Sequence, residues 1–163
     1  MRKILSSTMA LALLGVATPA MAGGSAGSIG VGAQYSLAGI GGASVDYDGG
    51  QFHAGGFFGF YDPAGEDNQD LDLGGQFFWH IHSTAMSDFG VGGRLAFQFQ
   101  DRGGDPNDAT IAEIDLGAQI RAFVVSNVAL SATLGAGIFT ADGEGFTLTG
   151  DIIGSAGLHY YFF

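Results

Sequence analysis

From position 28 onward, apolar side chains recur at every second residue, in one segment after another. A period of two belongs to β-strands with one apolar face and is incompatible with helices, whose apolar positions recur every three to four residues. Following the alternation predicts eight strands, near 28–37, 42–48, 51–61, 71–82, 89–100, 110–124, 128–140 and 146–162. The fifth is the clearest. Phe89, Val91, Gly93, Leu95, Phe97 and Phe99 share one face against Gly90, Gly92, Arg94, Ala96, Gln98 and Gln100. In the sixth, Ile114, Leu116, Ala118 and Ile120 oppose Glu113, Asp115, Gln119 and Arg121. The seventh carries Val128, Leu130, Ala132, Leu134, Ala136 and Ile138 on one side. The segments between strands contain turn residues, as in Asp62-Pro63, Gly103-Gly104-Asp105-Pro106-Asn107 and Asp142-Gly143.

The first 22 residues read as an export signal. Arg2 and Lys3 precede an apolar stretch from Ile4 to Val16, and Ala20-Met21-Ala22 has the small-x-small pattern of a cleavage site. The stretch is shorter than the about 20 residues of a transmembrane helix. The expected mature chain is 23–163, one domain's worth. Without cysteine there is neither a disulfide framework nor a lipidation site. The mature part keeps only Arg94, Arg102 and Arg121 against sixteen acidic residues. That balance repels phosphate backbones and excludes a nucleic-acid role.

Alternation alone fits either a soluble barrel with the apolar face inward or a membrane barrel with it outward. The polar face is crowded with Gly55, Gly59, Gly74, Gly90, Gly92, Gly117, Gly135 and Gly137 and has no Lys, which suits a cramped lumen better than a watery exterior. The apolar face carries aromatics near both strand ends: Phe52, Trp79, Phe89, Tyr160 and Phe162 at one, and Tyr35, Phe58, Phe60, Phe97 and Phe99 at the other. Two such bands match the interfacial girdles of a membrane barrel. The last strand ends Leu158-His159-Tyr160-Tyr161-Phe162-Phe163. This ending resembles the C-terminal assembly signal of outer-membrane β-barrel proteins, with Leu158, Tyr160, Phe162 and Phe163 filling the pattern. The expected fold is all-β: an eight-stranded, antiparallel, up-and-down transmembrane barrel, with both termini in the periplasm. Segments 38–41, 62–70, 101–109 and 141–145 then form the outer loops and 49–50, 83–88 and 125–127 the periplasmic turns.

The inward parity set holds the residues that could carry chemistry: Asp46, Asp48, His53, Asp72, His80, His82, Arg94, Glu113, Asp115, Arg121, Asp151 and His159. Charges in so narrow a lumen must pair or stay hydrated. The expectation is one salt-bridge network joining Arg94 and Arg121 to Glu113, Asp115 and Asp151. His53, His80, His82 and His159 are expected to cluster inward near the periplasmic end. Imidazoles at i and i+2 of a strand can share a metal, but no third ligand is set by local spacing, so neither a metal nor a cofactor is assigned. No nucleophile, base and orienting acid stand together, so no catalytic residue is assigned either. The outer loops are acidic, with Asp62, Glu66, Asp67, Asp70, Asp101, Asp105, Asp108, Asp142 and Glu144 against Arg102.

The mature chain as a whole resembles the small eight-stranded outer-membrane proteins of the OmpA and OmpX type. That resemblance implies a monomeric barrel in the outer membrane, inserted by the outer-membrane assembly machinery. It would sit among membrane lipids and lipopolysaccharide, with a non-enzymatic envelope-structural or surface-interaction role. Two other classes stay open: a small channel for ions or solutes, and a lipid A-modifying enzyme. Inward Phe57, Phe78, Phe123, Phe139 and Ile153 oppose the channel.

Overall fold

A computed structural model describes residues 25–63, 68–101, 103, 108–142 and 146–162. The expected export signal, Phe163, Arg102 and several loop acids (Glu66, Asp67, Asp105 and Glu144) lie outside the described residues. Eight strands succeed one another: β1 Ile29–Ser36, β2 Gly41–Asp48, β3 Phe52–Tyr61, β4 Gln69–Ser83, β5 Ser87–Asp101, β6 Ala109–Val125, β7 Val128–Asp142 and β8 Phe146–Phe162. Each pairs antiparallel with the next, and β8 pairs with β1 to close the barrel. The ladders run past the apolar alternation in places. Gln69↔Asp101 and Ser83↔Asp88 are paired although no apolar residue marks them, because main-chain bonding continues wherever two strands stay in register.

Closure fixes a tilt. The row of neighbours from Gly30 runs through Asp46, Gly55, Gln76, Arg94, Asp115 and Gly137 to Asp151. Gly30 itself faces Tyr161, ten residues further along β8. A row that returns so far displaced must climb around the barrel, which is the stagger of strands tilted by about 40°.

The faces sort opposite to those of a soluble protein. Ile29, Val31, Tyr35, Val45, Phe58, Phe77, Trp79, Val91, Leu95, Ile114, Ile138 and Leu158 are exposed on the outside, whereas Asp46, Asp48, His53, Arg94, Glu113, Asp115, Arg121 and His159 are buried within. The inward glycines make room for the large side chains of neighbouring strands. A Cβ on Gly74 would meet the Phe57 ring at 2.4 Å, and one on Gly30 would meet the Tyr161 ring at 2.8 Å. A left-handed residue is needed in the β2–β3 turn, and Gly50 supplies it at φ 81°.

Leu116 and Leu134 are each 68% exposed, near mid-strand. Replacing either by Arg is expected to cost about 2–4 kcal/mol in a bilayer, the cost of a cation on the lipid face near the midplane. Urea unfolding of the reconstituted variants measures it. Unchanged stability in both would contradict the outward assignment.

Candidate functional site

The lumen is filled by two charged layers at different heights, with polar side chains between them. The outer layer is built on β5 and β6, where Arg94 pairs directly with Asp115 and Ala96 with Glu113. Residues two apart on a strand face the same way, so one guanidinium reaches both carboxylates. Arg94 Nε donates to Asp115 Oδ2 at 3.0 Å and Nη2 to Glu113 Oε2 at 2.5 Å. Nη1 donates to the carbonyl of Ile40 at 3.3 Å, and the guanidinium lies over the Phe57 ring, 5.5 Å from its centroid. Ile40, 1% exposed, packs with Phe57 and Ala96. The β1–β2 connection thereby inserts a side chain into the outer mouth. Asp72 secures the same segment by accepting from Gly41 N at 3.0 Å.

The second layer lies toward the end that holds the β2–β3 turn. Arg121 Nη2 donates to Asp48 Oδ2 at 2.5 Å and to Asp88 Oδ2 at 2.6 Å, while Nε also donates to Asp88 Oδ2. Nη1 donates to the Tyr161 hydroxyl at 3.0 Å, and the rings of Phe123 and Tyr161 flank the guanidinium. One side chain on β6 therefore joins β2, β5 and β8. Beside it His80 donates from Nδ1 to the carbonyl of Gly50 at 2.9 Å, the only role a carbonyl permits. Neutral His80 then accepts at Nε2 from His53 Nδ1, 2.8 Å away. Between the layers, Gln76 donates to Asp46 and Gln119 to Thr133, both at 3.0 Å.

These contacts correct three expectations. Arg121 does not share Glu113 and Asp115 with Arg94. It lies six residues beyond Asp115 on β6, about 20 Å along the strand, so its partners are Asp48 and Asp88. Asp151 belongs to neither layer. It is exposed at the outer rim, and its Oδ1 accepts from Ile152 N, because the tilted row has climbed two strands past Asp115 by the time it reaches β8. His82 faces outward. The register slips between His80↔Gly90 and His82↔Phe89, leaving Ile81 as the extra residue of a β-bulge, and this shift reverses the parity of the residues beyond it. His53, His80 and His159 do face inward and are buried or nearly so.

Ser44, His159 and Asp46 look at first like a nucleophile, a base and an acid. Ser44 Oγ lies 2.7 Å from His159 Nε2, but the Asp46 carboxylate approaches that same nitrogen, at 3.4 Å. A working set needs the acid at the opposite ring nitrogen, to orient the base and stabilise its charged form. The arrangement cannot relay a proton from Ser44 in that way. Among the described residues no three metal-ligating side chains gather around one point.

Asp88, Tyr161 and Ile40 carry weight in these layers although no motif in the sequence marks them. Asp88 has the parity of Gly90 and Gly92, one step beyond the alternating run, and Tyr161 has that of His159. Ile40 lies in a connection, where no periodicity signals that its side chain turns inward.

No protein-family model matches the chain, and no curated protein does. Two solved structures are similar to it. One is a major outer membrane protein of Thermus thermophilus, with 16% identity and a TM-score of 0.40 over 83% of this chain and 98% of that one. The other is Neisserial surface protein A, with 19% identity and a TM-score of 0.40 over 83% of this chain and 94% of that one.

Proposed function

We propose that this protein is a non-enzymatic barrel of the bacterial outer membrane, with a closed lumen, both termini in the periplasm, and an envelope-structural or surface-interaction role. One observation carries this reading: a closed barrel buries its charges and exposes its apolar side chains around the whole circumference. A monomer in water rarely exposes a contiguous apolar patch beyond a few hundred Å². A bilayer is the solvent in which that surface is favourable, and closure leaves no unpaired edge where the ladder is continuous. Lipids and lipopolysaccharide are the partners proposed for the outer face, and the outer-membrane insertion machinery for assembly. The channel reading is disfavoured because Arg94, Arg121, Phe57, Phe78, Phe123, Tyr161 and Ile40 occupy the lumen at successive heights.

Fractionation of cells producing the full chain tests the proposal. The protein is expected in the outer-membrane fraction and to change its gel migration when boiled, as a folded barrel does. Recovery as a soluble periplasmic protein would overturn it.

A further inference from the structure

Strand β8 is longer than the strand that closes the barrel against it. β1 pairs with β8 only from Ile29↔Phe162 to Ser36↔Ser155, followed by one bond from Leu37 N to the carbonyl of Gly154 at 2.8 Å. β8 continues to Phe146, still paired on its other side with β7 as far as Asp142↔Phe146. Successive residues of a strand direct their N–H and C=O to opposite sides. The bond to Gly154 thus marks the even-numbered residues as those turned away from β7. Among the described residues, no strand pairs with that side of Leu148, Gly150 and Ile152. The edge is guarded at one point, where Asp151 Oδ1 accepts from Ile152 N at 2.7 Å.

The level of this edge comes from the membrane placement proposed above, on which the inference rests. Counting about 9–11 residues for a spanning strand up from Phe162 ends between Gly154 and Ile152. An unpaired edge is also untenable in hydrocarbon, so the outer interface falls where β1 stops. The remainder of β8 stands outside the cell.

We propose that the open edge of β8 from Leu148 to Ile152 docks an extended basic polypeptide segment from outside the cell, added antiparallel as a further strand. An exposed edge offers unpaired donors and acceptors at strand spacing, which is what strand addition requires. The chemistry around it selects the guest. Ile152 is 78% exposed on the outward face, and Asp151 is exposed on the other, so a guest alternating apolar and basic residues matches both. Asp62, Asp101 and Asp108 are also exposed along the outer end. The chain has no Lys after position 3, and Arg94 and Arg121 are buried. A second copy in the same membrane does not fit, because both β8 strands would run in the same sense and antiparallel pairing needs opposite senses.

The test uses the folded protein in detergent micelles and a short fluorescein-labelled peptide of alternating Val and Lys. A second peptide is identical except that alternate amides are N-methylated, which keeps its charge but removes its edge donors. Anisotropy is expected to show the first peptide binding at least about tenfold more tightly, the loss expected for a few hydrogen bonds. Its arrival should slow amide exchange at Gly150. Ile152→Pro should weaken binding to a similar extent and still fold, since that N–H lies outside the β7 ladder and proline is tolerated at an edge. Equal binding of the two peptides would reduce the effect to charge attraction and overturn the proposal. So would unaltered binding to a heat-modifiable Ile152→Pro barrel. If that variant does not fold, the comparison of the two peptides on the unmodified protein decides. Protection of Gly150 without peptide, in a particle of twice the protein mass, would assign the edge to a second copy and also overturn it. Failure of the membrane reading is distinct, because it appears in the fractionation and not in the peptide comparison.

Discussion

Replacing Arg121 by leucine is expected to destabilise the barrel by about 3–5 kcal/mol, the usual cost of removing one partner from a buried ion pair. Asp48 and Asp88 are 1% and 8% exposed and share the Arg121 guanidinium, so the substitution strands two carboxylates and not one. It also removes a donor from Tyr161 on β8, the strand that closes against β1. The measurement is a urea titration of the reconstituted barrel, followed through its heat-modifiable migration. Adding Asp48→Asn and Asp88→Asn to Arg121→Leu should recover most of the loss, because the penalty resides in the abandoned charges and less in the missing pair. A neutral single variant would mean that this end of the lumen is open to water.

Arg94→Ala should cost a similar amount, about 3–5 kcal/mol, and have a second effect that Arg121→Leu lacks. Glu113 is fully buried, and Arg94 is its ion-pair partner. Arg94 also holds the carbonyl of Ile40, so its loss loosens the side chain that fills the outer mouth. In planar bilayers the unmodified protein is expected to give at most small and sporadic conductance, and Arg94→Ala to raise it. Large, steady conductance from the unmodified protein, unaltered by the substitution, would favour the channel reading.

The strands and the sorting of their faces are legible in the chain because one face meets an apolar environment along most of its length. A period of two survives in Ile114, Leu116 and Ile120 against Glu113, Asp115 and Arg121 whatever the neighbouring strands do. The pairing of charges is not legible in the same way. Which carboxylate meets Arg121 depends on the ten-residue displacement at closure, a property of the whole ring that no local spacing records. That displacement also carries Asp151 up to the rim. Alternation misplaces His82 for a local reason, since a bulge adds one residue without leaving a mark in the pattern. It leaves Asp88 in a turn because the ladder outlasts the apolar signal by one pair. Ile40 shows the limit of periodicity, which says nothing of connections.

Trp79 is the chain's one tryptophan and is 48% exposed on the outward face, stacked on Phe52 at the end of the barrel assigned to the periplasm. It reports directly on whether the apolar exterior meets lipid. In vesicles of phospholipid brominated along its acyl chains, the folded protein is expected to lose most of its tryptophan fluorescence, while acrylamide in the water quenches little. Full fluorescence in the brominated lipid together with ready quenching by acrylamide would place that face in water and contradict the membrane barrel.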